Sequence, residues 1–144
     1  MINSQIPTIN IRKVLSDDKE LSKVVRQLLN LKKDSAENLL RRTTSTAYRR
    51  IHEHLTSVLD RATVILSKPE PNDISEIIIG LSKGLILIEY QFERNEINKD
   101  LSDELKEVLT NLLDSVEETN AIKKFERART LLDALTVLVY KYAR

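Results

Sequence analysis

Apolar residues recur three or four positions apart along most of the chain, and this spacing predicts amphipathic α-helices. The pattern runs through residues 21–31, 47–65, 77–90, 101–116 and 122–139. Only two glycines and three prolines interrupt the chain, which is typical of a helical protein. We therefore predict an all-α, single-domain bundle of about five helices joined by short connections.

Polar residues that cap helices mark where several of these segments begin. A side-chain oxygen just before a helix accepts a hydrogen bond from a free backbone N–H group. Such residues stand at Asp17, Asp34, Thr43 or Thr44, and Asn72 with Asp73, while turns near Asn98 and Asn120 precede the last two helices. Asp34 has a glutamate three residues later, a capping-box pattern that predicts a short helix over residues 35–41. We expect a flexible or extended segment over residues 1–15 and a helical bundle domain over residues 16–144.

The stretch from residue 77 to residue 90 is the most apolar part of the chain. It is too short to cross a bilayer and carries Lys83 near its middle, so we expect no membrane partner. A helix that is apolar nearly all round is typical of a central, buried position, and we predict a central apolar helix here. Gly80 and Gly84 lie one turn apart and predict the close approach of a neighbouring helix, at a helix-propensity cost of about 1 kcal/mol each.

The composition limits the class of protein. A length of 144 residues suits one domain, and 41% hydrophobic with 31% charged residues excludes a disordered tail and a membrane protein. The absence of cysteine excludes disulfides, thiolate metal sites and a cysteine nucleophile. No signal-peptide pattern is visible at the N-terminus, so we expect a cytoplasmic protein.

The formal net charge of +1 hides a strong asymmetry along the chain. Residues 1–68 carry a net charge of +6, residues 69–120 a net charge of −9 and residues 121–144 a net charge of +4. A basic–acidic–basic order allows two arrangements. The basic ends can bind a polyanion, or the acidic middle of one copy can dock on the basic end of another.

Two groups of residues were candidates for chemistry, and neither has the required spacing. His52 and His54 are two positions apart, roughly 200° around a helix, so they cannot share one metal ion and are expected to be solvated. Glu89, Glu93, Glu96 and Asp100 fall along one side of a predicted helix, where carboxylates can hold Mg²⁺. All-α nucleotide pyrophosphohydrolases instead use paired adjacent glutamates with a matching set on the next helix. We expect no catalysis, no metal and no cofactor.

The segment RRTTSTAYRR, residues 41–50, holds four arginines around a threonine cap. Cations near a helix N-terminus oppose the helix dipole by about a few tenths of a kcal/mol, but a phosphate bound there reverses the balance. The charge pattern makes the following residues candidates for nucleic-acid binding: Arg41, Arg42, Arg49, Arg50, Lys123, Lys124 and Arg127. Because the chain has only six aromatic residues, we expect contacts to the phosphate backbone rather than to stacked bases.

Three stretches share a pattern with one known family. Residues 44–49 read TSTAYR where that family has Thr-Thr-Ser-Gln-Ile-Arg, and residues 90–94 read YQFER, similar to its Tyr-x-x-x-Arg on a central helix. The ending from Phe125 through residues 133–135 to Tyr140 is similar to the family's Phe, Glu-Ala, Tyr and Lys. In these motifs the chain resembles the small helical subunit of type III CRISPR–Cas effector complexes, most closely the Csm-type (type III-A) subunit.

The resemblance covers roughly residues 40–144 and has departures. Ala47, Tyr48 and Asp133 replace the family's glutamine, isoleucine and glutamate, and the last tyrosine falls two residues late. The sister Cmr-type (type III-B) subunit is a close rival, because Gly84 with the following leucine and the terminal helix are also similar to it.

The resemblance implies a subunit that has no nuclease activity. Such subunits stack head to tail in several copies along a filament of backbone subunits, and their basic residues guide the target RNA where it pairs with the guide RNA. Arg49 matches the motif arginine and is therefore the residue that the family itself assigns to RNA. The implied partners are guide RNA, target RNA, other effector-complex subunits and further copies of this chain.

Two other classes of function stay open from the residues alone. The first is a helical adaptor or scaffold that binds only proteins. The second, more remote, is a Mg²⁺-dependent all-α nucleotide pyrophosphohydrolase that uses the acidic residues of the middle segment.

Overall fold

Helices form most of the protein in the computed structural model, which describes residues 9–69 and 74–143. These ranges contain seven helices: α1 Ile11–Ser16, α2 Asp18–Leu29, α3 Lys33–Leu39, α4 Ser45–Leu66, α5 Ile74–Glu93, α6 Lys99–Ser115 and α7 Ala121–Tyr142. Strands are absent from the same ranges, so the predicted all-α fold is confirmed. The predicted number of about five helices is too low. None of the seven is both long and apolar enough to span a bilayer.

Helix α1 lies within the segment that was expected to be flexible or extended. Asn10 caps it by accepting a hydrogen bond from the Lys13 amide, at 3.1 Å. Ile11, Val14 and Leu15 are buried in the core. The expectation for residues 1–15 is therefore wrong where the structure describes them, and the predicted domain boundary at residue 16 falls at the end of α1. Residues 1–8 lie outside the described ranges.

Three of the predicted helix starts are confirmed by their side-chain caps. Asp17 accepts a hydrogen bond from the Lys19 amide before α2, and Thr44 accepts one from the Ala47 amide before α4. Asn98 does the same for α6. These caps satisfy amide groups that have no partner inside the helix, so they fix where each helix begins.

The predicted start of α3 is wrong. The helix begins at Lys33, after Lys32, which makes no side-chain cap, and it ends at Leu39 rather than at residue 41. Asp34 lies in the first turn, where its carboxylate favours the positive end of the helix dipole without capping it. The predicted caps Asn72 and Asp73 lie outside the described residues.

Helix α7, and not α5, occupies the centre of the bundle. It packs against α1, α2, α3, α4 and α6, whereas α5 packs mainly against α4 and α6. The outer face of α5 leaves Ile79, Ile86 and Tyr90 exposed, with Ile86 68% accessible to water. The prediction of a central apolar helix over residues 77–90 is therefore wrong. Apolarity around a whole helix does not distinguish a face that the chain covers from one that it leaves open.

Two contacts show that α4 and α7 run antiparallel. Tyr48, near the start of α4, contacts Thr136 near the end of α7, and Asp60 further along α4 pairs with Arg129. The beginning of α4 therefore lies beside the end of α7. The same end of the bundle holds the connection between α5 and α6, because the Thr44 amide donates to the Glu96 carbonyl at 3.0 Å.

The two glycines of α5 allow neighbouring helices to approach its backbone closely. A Cβ atom at Gly84 would lie 2.8 Å from Leu55 Cδ2 and 2.9 Å from Leu109 Cδ1. A Cβ atom at Gly80 would lie 3.0 Å from both methyl carbons of Val58. The close approach predicted from the glycine spacing is confirmed, and it involves α4 and α6 together at Gly84.

We expect Gly84→Ala to lower the free energy of unfolding by about 1 kcal/mol. Overpacking against two buried leucines costs about 1–3 kcal/mol, and the alanine recovers only about 1 kcal/mol of helix propensity. Gly80→Ala is the matched control, because it gains the same propensity but meets only the half-buried Val58. Urea unfolding of both variants measures the difference. Equal stability of the two variants would contradict this account of the packing.

Candidate nucleic-acid interface

The connection before α4 is held in one conformation by hydrogen bonds to the connection between α5 and α6. Thr43 is fully buried, and its hydroxyl oxygen accepts a hydrogen bond from the Asn98 amide at 3.0 Å. Arg42 adopts a positive φ of 66°, which costs a residue with a side chain about 1–2 kcal/mol. The contacts on either side of Arg42 stabilise this conformation. The arginine pair at residues 41 and 42 is therefore presented on a fixed turn.

Four arginines surround this turn and the first part of α4. They are exposed, and within the described part of the chain none of their side chains forms an ion pair or a hydrogen bond: Arg41, Arg42, Arg49 and Arg50. We call this set the arginine cluster. It stands at the N-terminus of a 22-residue helix, where the helix dipole adds positive potential. The cluster thus combines positive charge from side chains and backbone without a compensating carboxylate.

A groove of about 380 Å³ lies between α4 and α7 beside the cluster. Its lining comes from the first turns of α4 and the last turns of α7: Ser45, Tyr48, Arg49, His52, Glu53, Thr136, Val139 and Tyr140. Arg49 is the member of the cluster that reaches the groove. The antiparallel packing of the two helices brings these residues together from distant parts of the sequence.

Tyr48 forms the base of the groove and is a structural residue. Its hydroxyl donates to the Leu132 carbonyl at 3.2 Å and lies 3.2 Å from the Thr136 hydroxyl oxygen. Burial raises the pKa of Tyr48 well above its ordinary value, with the hydrogen bond to Thr136 opposing the shift. The ring stacks on the His52 ring, with centroids 5.9 Å apart. Tyr48 therefore packs inside the protein and is not free to stack on a ligand.

The two histidines connect helices and are not solvated, so that expectation is wrong. His52 Nε2 lies 3.6 Å from Asp133 Oδ1 on α7. His54 Nε2 is 3.0 Å from the Gly80 carbonyl oxygen on α5. Both side chains are half-buried because α4 is covered on two sides. Across the described ranges, no three His, Cys, Asp or Glu residues are grouped to hold a metal ion.

The predicted basic residues of α7 lie at the opposite end of the bundle. Lys123, Lys124 and Arg127 are about 20–26 Å from Tyr140 along α7, at about 1.5 Å per residue. Arg127 Nε bonds to Asp18 Oδ1 at 2.7 Å, and its Nη1 donates to the Leu15 carbonyl at 2.9 Å.

Lys124 is also paired, with Glu118 Oε1 at 2.7 Å. Lys123 is exposed. The hydrogen bond from Arg127 is the main cause that lowers the pKa of Asp18, and the charge of Lys123 lowers it further. The structure therefore does not bring these three residues to the arginine cluster, and two of them already neutralise carboxylates of the same chain. Their predicted contact with RNA stays a prediction.

The acidic stripe predicted on one helix is broken in the structure. Helix α5 ends at Glu93, and Asn95 follows with a positive φ of 62°, so Glu96 and Asp100 lie beyond the helix. Glu89 is paired with Lys106 of α6, which lowers the pKa of Glu89. The carboxylates therefore do not converge on one position. This removes the geometry that a Mg²⁺ site on this stripe would need.

Arg94, directly after α5, contacts an aromatic ring. Its guanidinium carbon lies 5.4 Å from the centroid of the Tyr90 ring, one turn earlier on α5. A cation over a ring face at this distance is a favourable cation–π contact. The Tyr–Arg pair of the sequence motif is thus a local contact on the exposed side of α5.

The first half of helix α6 carries an acidic face. Burial is the main cause that raises the pKa of Glu104 to about 7, and Glu107, Asp103 and Asp100 add to the shift in that order. In the described part of the chain, the buried Glu104 Oε2 has no hydrogen-bond partner. An ionised Glu104 is therefore unfavourable in the folded protein.

We expect Glu104→Gln to stabilise the protein at pH 8 by on the order of 1 kcal/mol, with little effect at pH 4. The raised pKa means that the folded state holds this proton more tightly than the unfolded chain. Wild-type stability therefore falls as the pH rises from about 4.5 to about 7. Urea unfolding at several pH values measures the change, with the exposed Glu37→Gln as control. If the free energy of unfolding depends on pH in the same way in the wild type and in Glu104→Gln, this account of Glu104 is wrong.

Searches of protein-family models, curated proteins and solved structures find no significant match to this chain. The relation to type III CRISPR–Cas subunits thus remains a resemblance in sequence motifs, and the geometry of the site supplies the independent basis for a function.

Proposed function

We propose that the protein is a non-catalytic small subunit of a type III CRISPR RNA-guided effector complex. In this role it contacts the phosphate backbone of the guide–target RNA duplex through the arginine cluster, acting in the cytoplasm in antiviral defence. The observation that carries the proposal is the uncompensated positive charge of the cluster on a fixed turn. The sequence motifs supply the choice of complex.

The cluster differs from the other arginines of α4 and α7 in its surroundings. Arg61, Arg127 and Arg129 each pair with a carboxylate of the same chain. Such pairs hold a side chain in place and reduce its attraction for an external anion. Among the described residues, no carboxylate neutralises the four cluster arginines, so their guanidinium groups can form bidentate bonds with a phosphate that approaches them.

The fixed turn at Arg42 adds a second argument for anion binding. A turn held by Thr43 and Thr44 loses little conformational entropy when a ligand binds. Contacts to phosphates position a protein on a nucleic acid without reading its sequence. That property suits a subunit that must accept any guide and target.

We expect the double variant Arg49→Ala with Arg50→Ala to bind RNA more weakly than the wild type. Each lost phosphate contact should also reduce the slope of log affinity against log salt by about one unit. Fluorescence anisotropy with a labelled guide–target duplex, titrated at several salt concentrations, measures both quantities.

The matched control removes two arginines at another place. Arg12→Ala with Arg26→Ala deletes the same charge from the exposed sides of α1 and α2. The control should retain most of the wild-type affinity and slope. If both double variants lose affinity equally, binding reflects net charge alone and the assignment to the cluster is wrong.

The exposed face of α5 is the surface that we propose for contacts with other subunits and with further copies of this chain. Ile79, Ile86 and Tyr90 lie along one side of the helix and remain accessible, with the exposed Lys83 between the first two. Exposed apolar side chains grouped on one helix face are typical of protein–protein contacts. Helix α6 packs against α5 and exposes Asp100, Asp103 and Glu107, which suit a basic surface on the neighbouring molecule.

We expect Ile86→Asp to weaken self-association, because it places a charge in the middle of the apolar face. Sedimentation equilibrium over a range of protein concentrations measures the average mass. Val64→Asp on α4 is the matched control, since Val64 is also an exposed apolar residue, and it should behave as the wild type. Unchanged self-association of Ile86→Asp would show that another surface is used.

The same face favours the second candidate function, a helical adaptor that binds only proteins. An adaptor needs the apolar face of α5 but has no use for the arginine cluster. The two functions therefore differ in one result. An adaptor would self-associate or bind a protein partner while the duplex RNA fails to bind the wild type at low salt.

A further inference from the structure

Tyr140 is an aromatic residue that the folded chain leaves almost uncovered. It is 85% exposed, more than the other large apolar residues that are exposed in the described ranges. It lies on α7 at the edge of the groove, with Val139 beside it and Thr136 one turn earlier. Aromatic rings placed beside cations are the surfaces on which proteins stack the bases of single-stranded nucleic acids.

The shape of the groove suits a flat and mostly apolar ligand. Its volume of about 380 Å³ falls within the roughly 300–1,000 Å³ typical of ligand pockets. The His52 ring, which stacks on the buried Tyr48 ring, forms one part of the wall, and Val139 contributes an apolar side chain to the other. A single heterocyclic ring inserted here would contact the exposed Tyr140 ring and the apolar part of this lining.

Two charged residues on the wall formed by α4 determine which part of a nucleotide enters. Arg49 and Glu53 lie one turn apart, and neither side chain has an ion-pair partner in the described ranges. The Arg49 guanidinium attracts a phosphate to the rim. The Glu53 carboxylate repels a phosphate from the interior and accepts hydrogen bonds from amino or imino groups on a base edge. The base, rather than the phosphate, is therefore the favoured occupant.

We propose that this groove binds one unpaired RNA base, stacked on Tyr140, with the adjacent phosphate at Arg49. The inference rests on the proposed RNA binding and extends it, because contacts to phosphates alone require no base. The sequence led us to expect backbone contacts only, since aromatic residues are few. Their number does not show that one of them stands exposed beside the arginine cluster.

The test compares two labelled RNA oligomers of equal length, one with normal bases and one with abasic sites, which carry the same number of phosphates. Wild type and Tyr140→Ala are titrated by fluorescence anisotropy. We expect Tyr140→Ala to bind the normal single strand at least about five-fold more weakly, the lower limit for the loss of one stacked base. The abasic RNA should bind both proteins equally.

Two further variants distinguish stacking from a general effect. Tyr140→Phe keeps the ring and should retain wild-type affinity for the normal single strand. Val137→Ala truncates another exposed apolar side chain of α7, one that does not line the groove, and should also leave the affinity unchanged. Because Tyr140 is exposed, we expect the same thermal unfolding midpoint for Tyr140→Ala and the wild type.

The outcomes separate this inference from the function on which it rests. If Tyr140→Ala binds the normal single strand as the wild type does, or if Tyr140→Phe loses affinity as Tyr140→Ala does, base stacking in the groove is wrong. The proposed function then still stands if Arg49→Ala with Arg50→Ala weakens binding. If the wild type binds neither the single strand nor the duplex at low salt, both are wrong.

Discussion

The antiparallel packing of α4 on α7 determines where the proposed RNA-binding groove lies. Tyr48 specifies the register of this pair, because its hydroxyl would be buried without a partner in any other alignment, at a cost of about 1–3 kcal/mol. In the observed register the first turns of α4 meet the last turns of α7. Arg49 and Tyr140 thereby line one groove although most of the chain lies between them. The groove, with Arg49 and Tyr140 in its lining, is a consequence of this packing.

The distribution of ion pairs separates two basic regions that look alike in the sequence. At the beginning of α7, Lys124 and Arg127 neutralise carboxylates of neighbouring segments and fasten α7 to α2 and to the α6–α7 connection. At the beginning of α4, no carboxylate of residues 9–69 or 74–143 performs this function for the arginine cluster. One region thus contributes to the fold, whereas the other remains available to an external anion. Net charge alone does not distinguish the two cases, because it ignores where each charge finds its partner.

Local patterns in the sequence predicted the local features of the structure. The five longest helices, the caps at Asp17 and Thr44 and the close packing at Gly84 depend on residues within a few positions or on one missing side chain, so the sequence was sufficient for them. The position of α5 at the side of the bundle was not predictable, because it depends on which helices pack together. The groove was missed for the same reason. A tyrosine one turn after Thr136 in the last helix was visible, but nothing in its spacing showed that the beginning of α4 would lie beside it.

Three features of the surface are unfavourable for the isolated chain. Arg42 holds a positive φ, the arginine cluster opposes the dipole of α4, and Ile86 and Tyr140 expose apolar surface to water. Within the described residues, no contact of the chain offsets the last two costs. Local features that reduce stability and persist in a well-packed fold are typical of binding sites, where a partner supplies the missing interactions. A polyanion would neutralise the arginine cluster, and a protein surface would cover the apolar face of α5. A subunit that binds both RNA and other subunits therefore accounts for more of these features than an adaptor that binds proteins alone.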